Sequence, residues 1–245
     1  MTGFFMAWSM FLAIPCPVKK WDDAKKPQML MALPFVGLVA GAVWLAVYKL
    51  CEVLGIKVIG LVLTAVTPWI VTGFMHLDGF LDCADAVLSF RDKEKRIAIL
   101  KDSHVGSFAV ICTAILAMLT FGAWIQTGYR ASLFVLLFIP AASRAVSAAC
   151  VLGFKPLDTS SYKKMSEEKR SGGPILFCVI IAAALSAAAV LISGLQGIAV
   201  PVSAVCTLLT ILKIRANLGG MSGDISGCAI TVGEAFAVIA LALTA

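Results

Sequence analysis

Met29–Val53 reads MLMALPFVGLVAGAVWLAVYKLCEV, a run charged only at Lys49 and Glu52. As a helix rising about 1.5 Å per residue, it covers the roughly 30 Å hydrocarbon core of a bilayer. Similar apolar runs predict further spans over 58–76, 103–126, 131–152, 174–193, 197–214 and 224–245. The 245 residues are 60% hydrophobic and 14% charged, whereas a soluble domain carries about a quarter charged residues. The sequence therefore predicts an all-α integral membrane protein, with about seven transmembrane helices in a single domain over 1–245. The first fourteen residues are apolar but short, stop at Pro15 and Pro17, and lack the basic start of a signal peptide. They predict a re-entrant or interfacial helix, or an irregular first span. Gly37 and Gly41, four apart in the quoted run, predict close helix packing.

Basic residues set the orientation. Sixteen of the twenty Lys and Arg fall in or beside four charged segments: Lys19 to Lys26, Leu77 to Asp102, Gly153 to Gly173 and Arg215 to Gly223. The opposite side has only Lys49, Lys57 and Arg130, and Arg144 lies inside a span. That asymmetry predicts charged loops in the cytoplasm. The net charge of +6 then sits on the inner face, where it meets anionic headgroups or an anionic substrate. No nucleic acid partner is expected. Lys163 to Arg170 reads as a solvated connector, and Arg91 to Leu100 as a short amphipathic surface helix with Ile97, Ile99 and Leu100 as its apolar side. The eight cysteines form no CxxC pair and predict neither a disulfide framework nor a zinc site. Cys83 reads as packing.

Within the second charged segment, His76 to Asp85 reads HLDGFLDCAD. On a helix, Asp82 lies about 40° from Asp78 and Asp85 about 20° to its other side, so all three carboxylates share one face. Like charges that close repel unless a cation sits between them. A divalent metal with oxygen ligands is the economical answer, Mg²⁺ being usual where phosphates are also held. The plainer alternative is a solvated helix end with acids in its first turn. Asp102 and Ser103 read as an N-cap, or Asp102 as a fourth carboxylate returned to the same site. Gly219, Gly220 and Gly223 let the backbone approach a ligand, and Asp224 opens the last helix, where an anion could dock. Glu234, about 15 Å further along, is an intramembrane acid and a functional candidate by default. Arg144 is expected to face the interior, paired with one of these acids or a substrate phosphate. His76 reads as a structural histidine or as a contact to phosphate or metal.

Three of these stretches together resemble cobalamin synthase, the adenosylcobinamide-GDP ribazoletransferase family of late vitamin B12 synthesis. HLDGFLDCADA (76–86) matches HLDGLADTxDG, KDSHVGSFA (101–109) matches RDSxxGxxG, and GGMSGDISGC with Glu234 matches GGxTGDxxGA…E. Phe74 stands where a Gly is common, and Lys101 replaces Arg, keeping charge but losing a bidentate fork. The resemblance implies an Mg²⁺-dependent enzyme of the inner (cytoplasmic) membrane with active-site loops over 77–102 and 215–224. It joins α-ribazole or its 5′-phosphate to adenosylcobinamide-GDP and releases GMP. Asp78, Asp82, Asp85 and Asp224 would hold metal, with Asp82 central to catalysis. Asp102 or Glu234 would take the proton of the ribazole 5′-hydroxyl. His76, Lys101, Ser103, Arg144, Gly220 and Gly223 would position phosphates. The alternatives are an enzyme of the CDP-alcohol phosphatidyltransferase type or a divalent-cation transporter. Oligomeric state is left open, a homo-oligomer being one form.

Overall fold

The computed structural model describes residues 1–158, 160 and 172–245. Eleven α-helices follow in order among them. They are α1 (Thr2–Phe11), α2 (Lys26–Met31), α3 (Leu33–Val53), α4 (Val58–Val71), α5 (Met75–Leu88), α6 (Lys93–Ile99), α7 (Ser107–Thr127), α8 (Leu133–Gly153), α9 (Gly172–Ser193), α10 (Ala199–Leu218) and α11 (Gly223–Thr244). No strand forms among the described residues; the one bridge joins Pro156 and Met221.

Five stretches are long and apolar enough to cross a membrane, and six when α4 and α5 count as one bent span. This is a multi-pass, all-α membrane protein. The longest stretch, Gly172–Leu218, has 47 residues and contains α9 and α10. They are joined by a 3-10 turn over Gly194–Ile198, where a separator was expected. At ten residues, α1 is only about 15 Å long, too short to cross as a helix; of the forms expected for it, a re-entrant or interfacial helix fits that length. The connector expected over Lys163–Arg170 lies outside the described residues.

Burial orders the bundle. About 78% of the α8 span and 72% of α11 are buried, against 22% of α7, so α8 and α11 are central. On α7, Val110, Ile111, Ile115, Met118 and Leu119 stay exposed. In water that patch would be a liability; against lipid tails it needs no cover. The paired glycines behave as predicted: Gly37 lies on the Pro140 and Ala141 backbone, and Gly41 on that of Leu137, bringing α3 onto α8.

The span expected over 58–76 stops instead at Val71, and α5 leaves it at 86°. Two residues in the left-handed region make the corner, Gly73 at φ 60° and Phe74 at φ 63°. The carboxylate stretch is therefore a helix of its own rather than the start of a loop. It is followed by α6, capped by Asp92, which accepts from the Lys95 N–H at 3.0 Å. Leu100 is buried, and Ile97 and Ile99 pack on the core, so the amphipathic helix lays its apolar side on the protein.

Candidate active site

Two motif helices, α5 and α11, are locked together by glycine. A Cβ at Gly79 would lie 2.6 Å from the Asp224 carbonyl oxygen, and one at Gly227 would lie 3.1 Å from the Cα of His76. Any side chain at either place would push the helices apart. The thiols of Cys83 and Cys228 meet across the same contact. This crossing brings Asp224 to the carboxylate face of α5, where Asp82 feels the charges of Asp78, Asp224 and Asp85. Among the described residues, no hydrogen bond or ion pair reaches the side-chain carboxylate of Asp78 or Asp82. Asp224 accepts only from the Ser222 hydroxyl, at 3.3 Å, while Ser222 also caps α11 through the Ile225 N–H.

Asp85 is placed differently from its neighbours. Its two oxygens accept the Gly106 N–H at 2.6 Å and the Ala109 N–H at 2.9 Å. The first residue of α7 has no side-chain cap of its own, so a carboxylate from another helix supplies it. Such caps are worth about 1 kcal/mol. A Cβ at Gly106 would lie 2.6 Å from the same carboxylate, which explains a glycine there.

On the far side of Asp85 lies a cavity of about 290 Å³ reaching Asp102, His104 and Phe108. Asp102 folds back on its own loop, accepting the His104 N–H at 3.0 Å and facing its Nδ1 at 2.6 Å. Hydrogen bonding to His104 holds the Asp102 carboxyl below the usual carboxylate range. The same bond raises the imidazole above its ordinary value. Lys101 and Ser103 are exposed beside them. His104 was not singled out from sequence; its only signal was an aspartate two residues earlier.

The glycine-rich turn is occupied by the protein itself. Gly219, at φ 85°, ends α10. Met221 then exchanges backbone bonds with the 155–157 segment: its N–H donates to Lys155 at 2.9 Å, and its carbonyl accepts from Leu157 at 2.8 Å. A Cβ at Gly220 would lie 2.7 Å from the Leu157 nitrogen. Gly220 is thus required by this strand-like contact. Gly223 is the exposed first residue of α11. The Lys93 ammonium lies over Gly219, a cation at the turn that sequence gave no means of placing there.

Arg144, Glu234 and His76 form a second cluster, deeper in the bundle. Arg144 Nη1 donates to Glu234 Oε1 at 2.7 Å and to the Pro140 carbonyl at 2.9 Å. Its Nη2 reaches His76 Nδ1 at 3.3 Å, and the Ser143 hydroxyl donates to Glu234 Oε1 at 3.2 Å. Only 1% of the Arg144 side chain and 8% of Glu234 is exposed. Of the two partners expected for Arg144, an acid is the one it has. His76 is tied into this cluster rather than to the carboxylate face two residues away.

A model of the cobalamin-5-phosphate synthase family matches residues 3–242. The chain belongs to the cobalamin-5-phosphate synthase family. Its curated relatives are named adenosylcobinamide-GDP ribazoletransferase. The one from Clostridium botulinum (strain Alaska E43 / Type E3) is 37% identical over 238 residues, covering 95% of this chain and 93% of the relative. That of Clostridium perfringens (strain 13 / Type A) is 34% identical over 245 residues, covering 97% and 96%. The Brevibacillus brevis relative is 29% identical over 242 residues, covering 98% of each. No solved structure matches. As a cobalamin-5-phosphate synthase family member the chain is a transferase of cobalamin synthesis, and the two alternative classes fall away.

Proposed function

We propose that this membrane enzyme joins α-ribazole, or its 5′-phosphate, to adenosylcobinamide-GDP and releases GMP, with Mg²⁺ held at Asp78, Asp82 and Asp224. The observation that carries the reading is the Gly79–Asp224 contact, which brings together three carboxylates from two motif helices with no ion-pair partner among the described residues. Their hard oxygens suit Mg²⁺. No three acidic, histidine or cysteine side chains among the described residues close on one point. A bound Mg²⁺ would therefore take one or two of these carboxylates and complete its shell with water and substrate phosphates. When bound, the ion neutralises charge spreading over a cleaved diphosphate. The protein's own cations, Lys93 over the turn and Lys101 beside Asp102, hold phosphates from the rim. Asp85, with both oxygens on backbone N–H groups, orients α7.

The family's description argues against one expectation, the 5′-hydroxyl as the attacking group. A cobalamin 5-phosphate carries its phosphate on the 5-oxygen, so the new ester forms through another ribose hydroxyl and not the 5′-hydroxyl. Of the two carboxylates expected to accept its proton, this reading keeps Asp102. Glu234 is already neutralised by Arg144. The charged loops lie in the cytoplasm by the positive-inside rule, which sets the site on the inner face of the cytoplasmic membrane.

The test is GMP release by the full-length protein purified in detergent. Release is expected only with adenosylcobinamide-GDP, α-ribazole and Mg²⁺ together. No GMP with all three present overturns the reading. For sidedness, a cysteine introduced within 163–170 should resist labelling from outside intact cells, and efficient labelling would invert the topology.

A further inference from the structure

The cavity of about 290 Å³ beside Asp85 has a mixed polar and apolar lining. Its polar lining is Asp85, Ser89, Asp102, His104 and Ser107, and its apolar lining is Ile99, Val105 and Phe108. Val105 and Phe108 are open to a ligand, being 61% and 42% exposed. The volume lies at the small end of ligand pockets, roughly 300–1,000 Å³. It admits a nucleoside and is far too small for a corrinoid ring.

Charge separates the substrates further. Among the described residues, no Lys or Arg lines the cavity, so a diphosphate finds no partner inside it. Asp85 is occupied by two backbone N–H groups and Asp102 by His104. What remains for a ligand is hydrogen-bonding capacity with little free negative charge. An aromatic base carrying ribose hydroxyls fits that polar lining and the Phe108 face. Around α5, Asp82 and Asp85 point about 60° apart. The cavity therefore opens on one flank of the same carboxylate row whose other flank faces Asp224.

We propose that this cavity seats the acceptor nucleoside, with its aromatic base against Phe108 and Val105 and its ribose hydroxyls toward Asp102 and His104. Donor and acceptor then approach from opposite flanks of α5. A 5′-phosphate on the acceptor would reach outward to Lys101. The assignment rests on the transferase reading above, in that ribazole is the acceptor.

The test measures both Michaelis constants separately in the full-length protein, together with α-ribazole binding by equilibrium dialysis without the donor. Phe108→Ala is expected to raise KM for α-ribazole, and its dissociation constant, about tenfold. KM for adenosylcobinamide-GDP should stay within about twofold. His104→Asn should shift the same constants in the same direction. Phe90→Ala, at a more exposed aromatic outside the cavity (81% against 42%), should change none. If Phe108→Ala raises instead the KM for adenosylcobinamide-GDP, the cavity holds the donor and the assignment is overturned. It is overturned also if turnover is normal and neither constant moves, which leaves the transferase reading intact. Wild-type protein that binds α-ribazole through Phe108 but releases no GMP would keep the cavity and remove the reaction.

Discussion

Asp224 and Glu234 lie ten residues apart on the same helix, and they are held on opposite terms. Around Glu234 the charge is answered: Arg144 bonds it, Ser143 donates to it, and Pro140 and His76 meet the guanidinium at Nη1 and Nη2. Near Asp224, among the described residues, no ion pair reaches the Asp78 or Asp82 carboxylate, and three negative groups act on Asp82. A buried charge without a partner costs several kcal/mol, so the deep acid must be paired for the bundle to hold. At the helix end, water and a diffusible cation can do the neutralising, so the protein leaves the carboxylates open. The difference teaches that an acid in an apolar span marks a tie as readily as a reaction centre; its partner decides which.

The comparison is broken most forcefully at Asp82. Asp82→Asn keeps shape and removes charge, so GMP release should fall about a thousandfold while the protein stays folded in detergent. Near-normal turnover would remove Asp82 from the site. Next in size, Glu234→Leu or Arg144→Met alone should destabilise the protein by about 3–5 kcal/mol, because each strands the other's charge. The double replacement should recover most of that loss in a chemical denaturation series. A stable but inactive Glu234→Leu protein would instead make Glu234 a reacting group.

Asp85 sharpens the contrast from the middle. Asp85→Asn gives up one of two backbone acceptors and should lower stability by about 1–2 kcal/mol, with a smaller loss of turnover than Asp82→Asn. Equal losses of turnover at the two positions would place Asp85 with the open carboxylates. Smallest is the corner beneath them. Phe74 sits at φ 63°, where a side chain other than glycine is strained by about 1–2 kcal/mol. Phe74→Gly should recover part of that strain, offset by glycine's freedom in the unfolded chain. A measured loss of stability would mean that the phenyl ring contributes more than its backbone costs.

Some of this was readable along the chain and some was not. The face shared by Asp78, Asp82 and Asp85 follows from helical spacing alone, and the Gly37–Gly41 contact from the close approach that small residues permit. The corner at Gly73–Phe74 was missed because the apolar run continues through it, and hydropathy does not register a change of direction. Gly220 was taken for a ligand cradle because a glycine needed for backbone packing carries the same sequence signal as one needed for a ligand. His104 and Lys93 escaped notice because what distinguishes them is a neighbour brought by folding.

By itself the sequence determined the solvent this protein lives in, the helical class that such a solvent enforces, and the chemical type of its carboxylate motifs. All three depend on composition and on spacing within a few turns, where chain geometry is nearly fixed. Only the tertiary structure decided which acids are ties and which are open, that Asp85 caps α7, and that a cavity flanks it. Those properties belong to pairs such as Arg144 with Glu234 or Gly79 with Asp224, far apart in the chain, and such pairs exist only once the helices have packed.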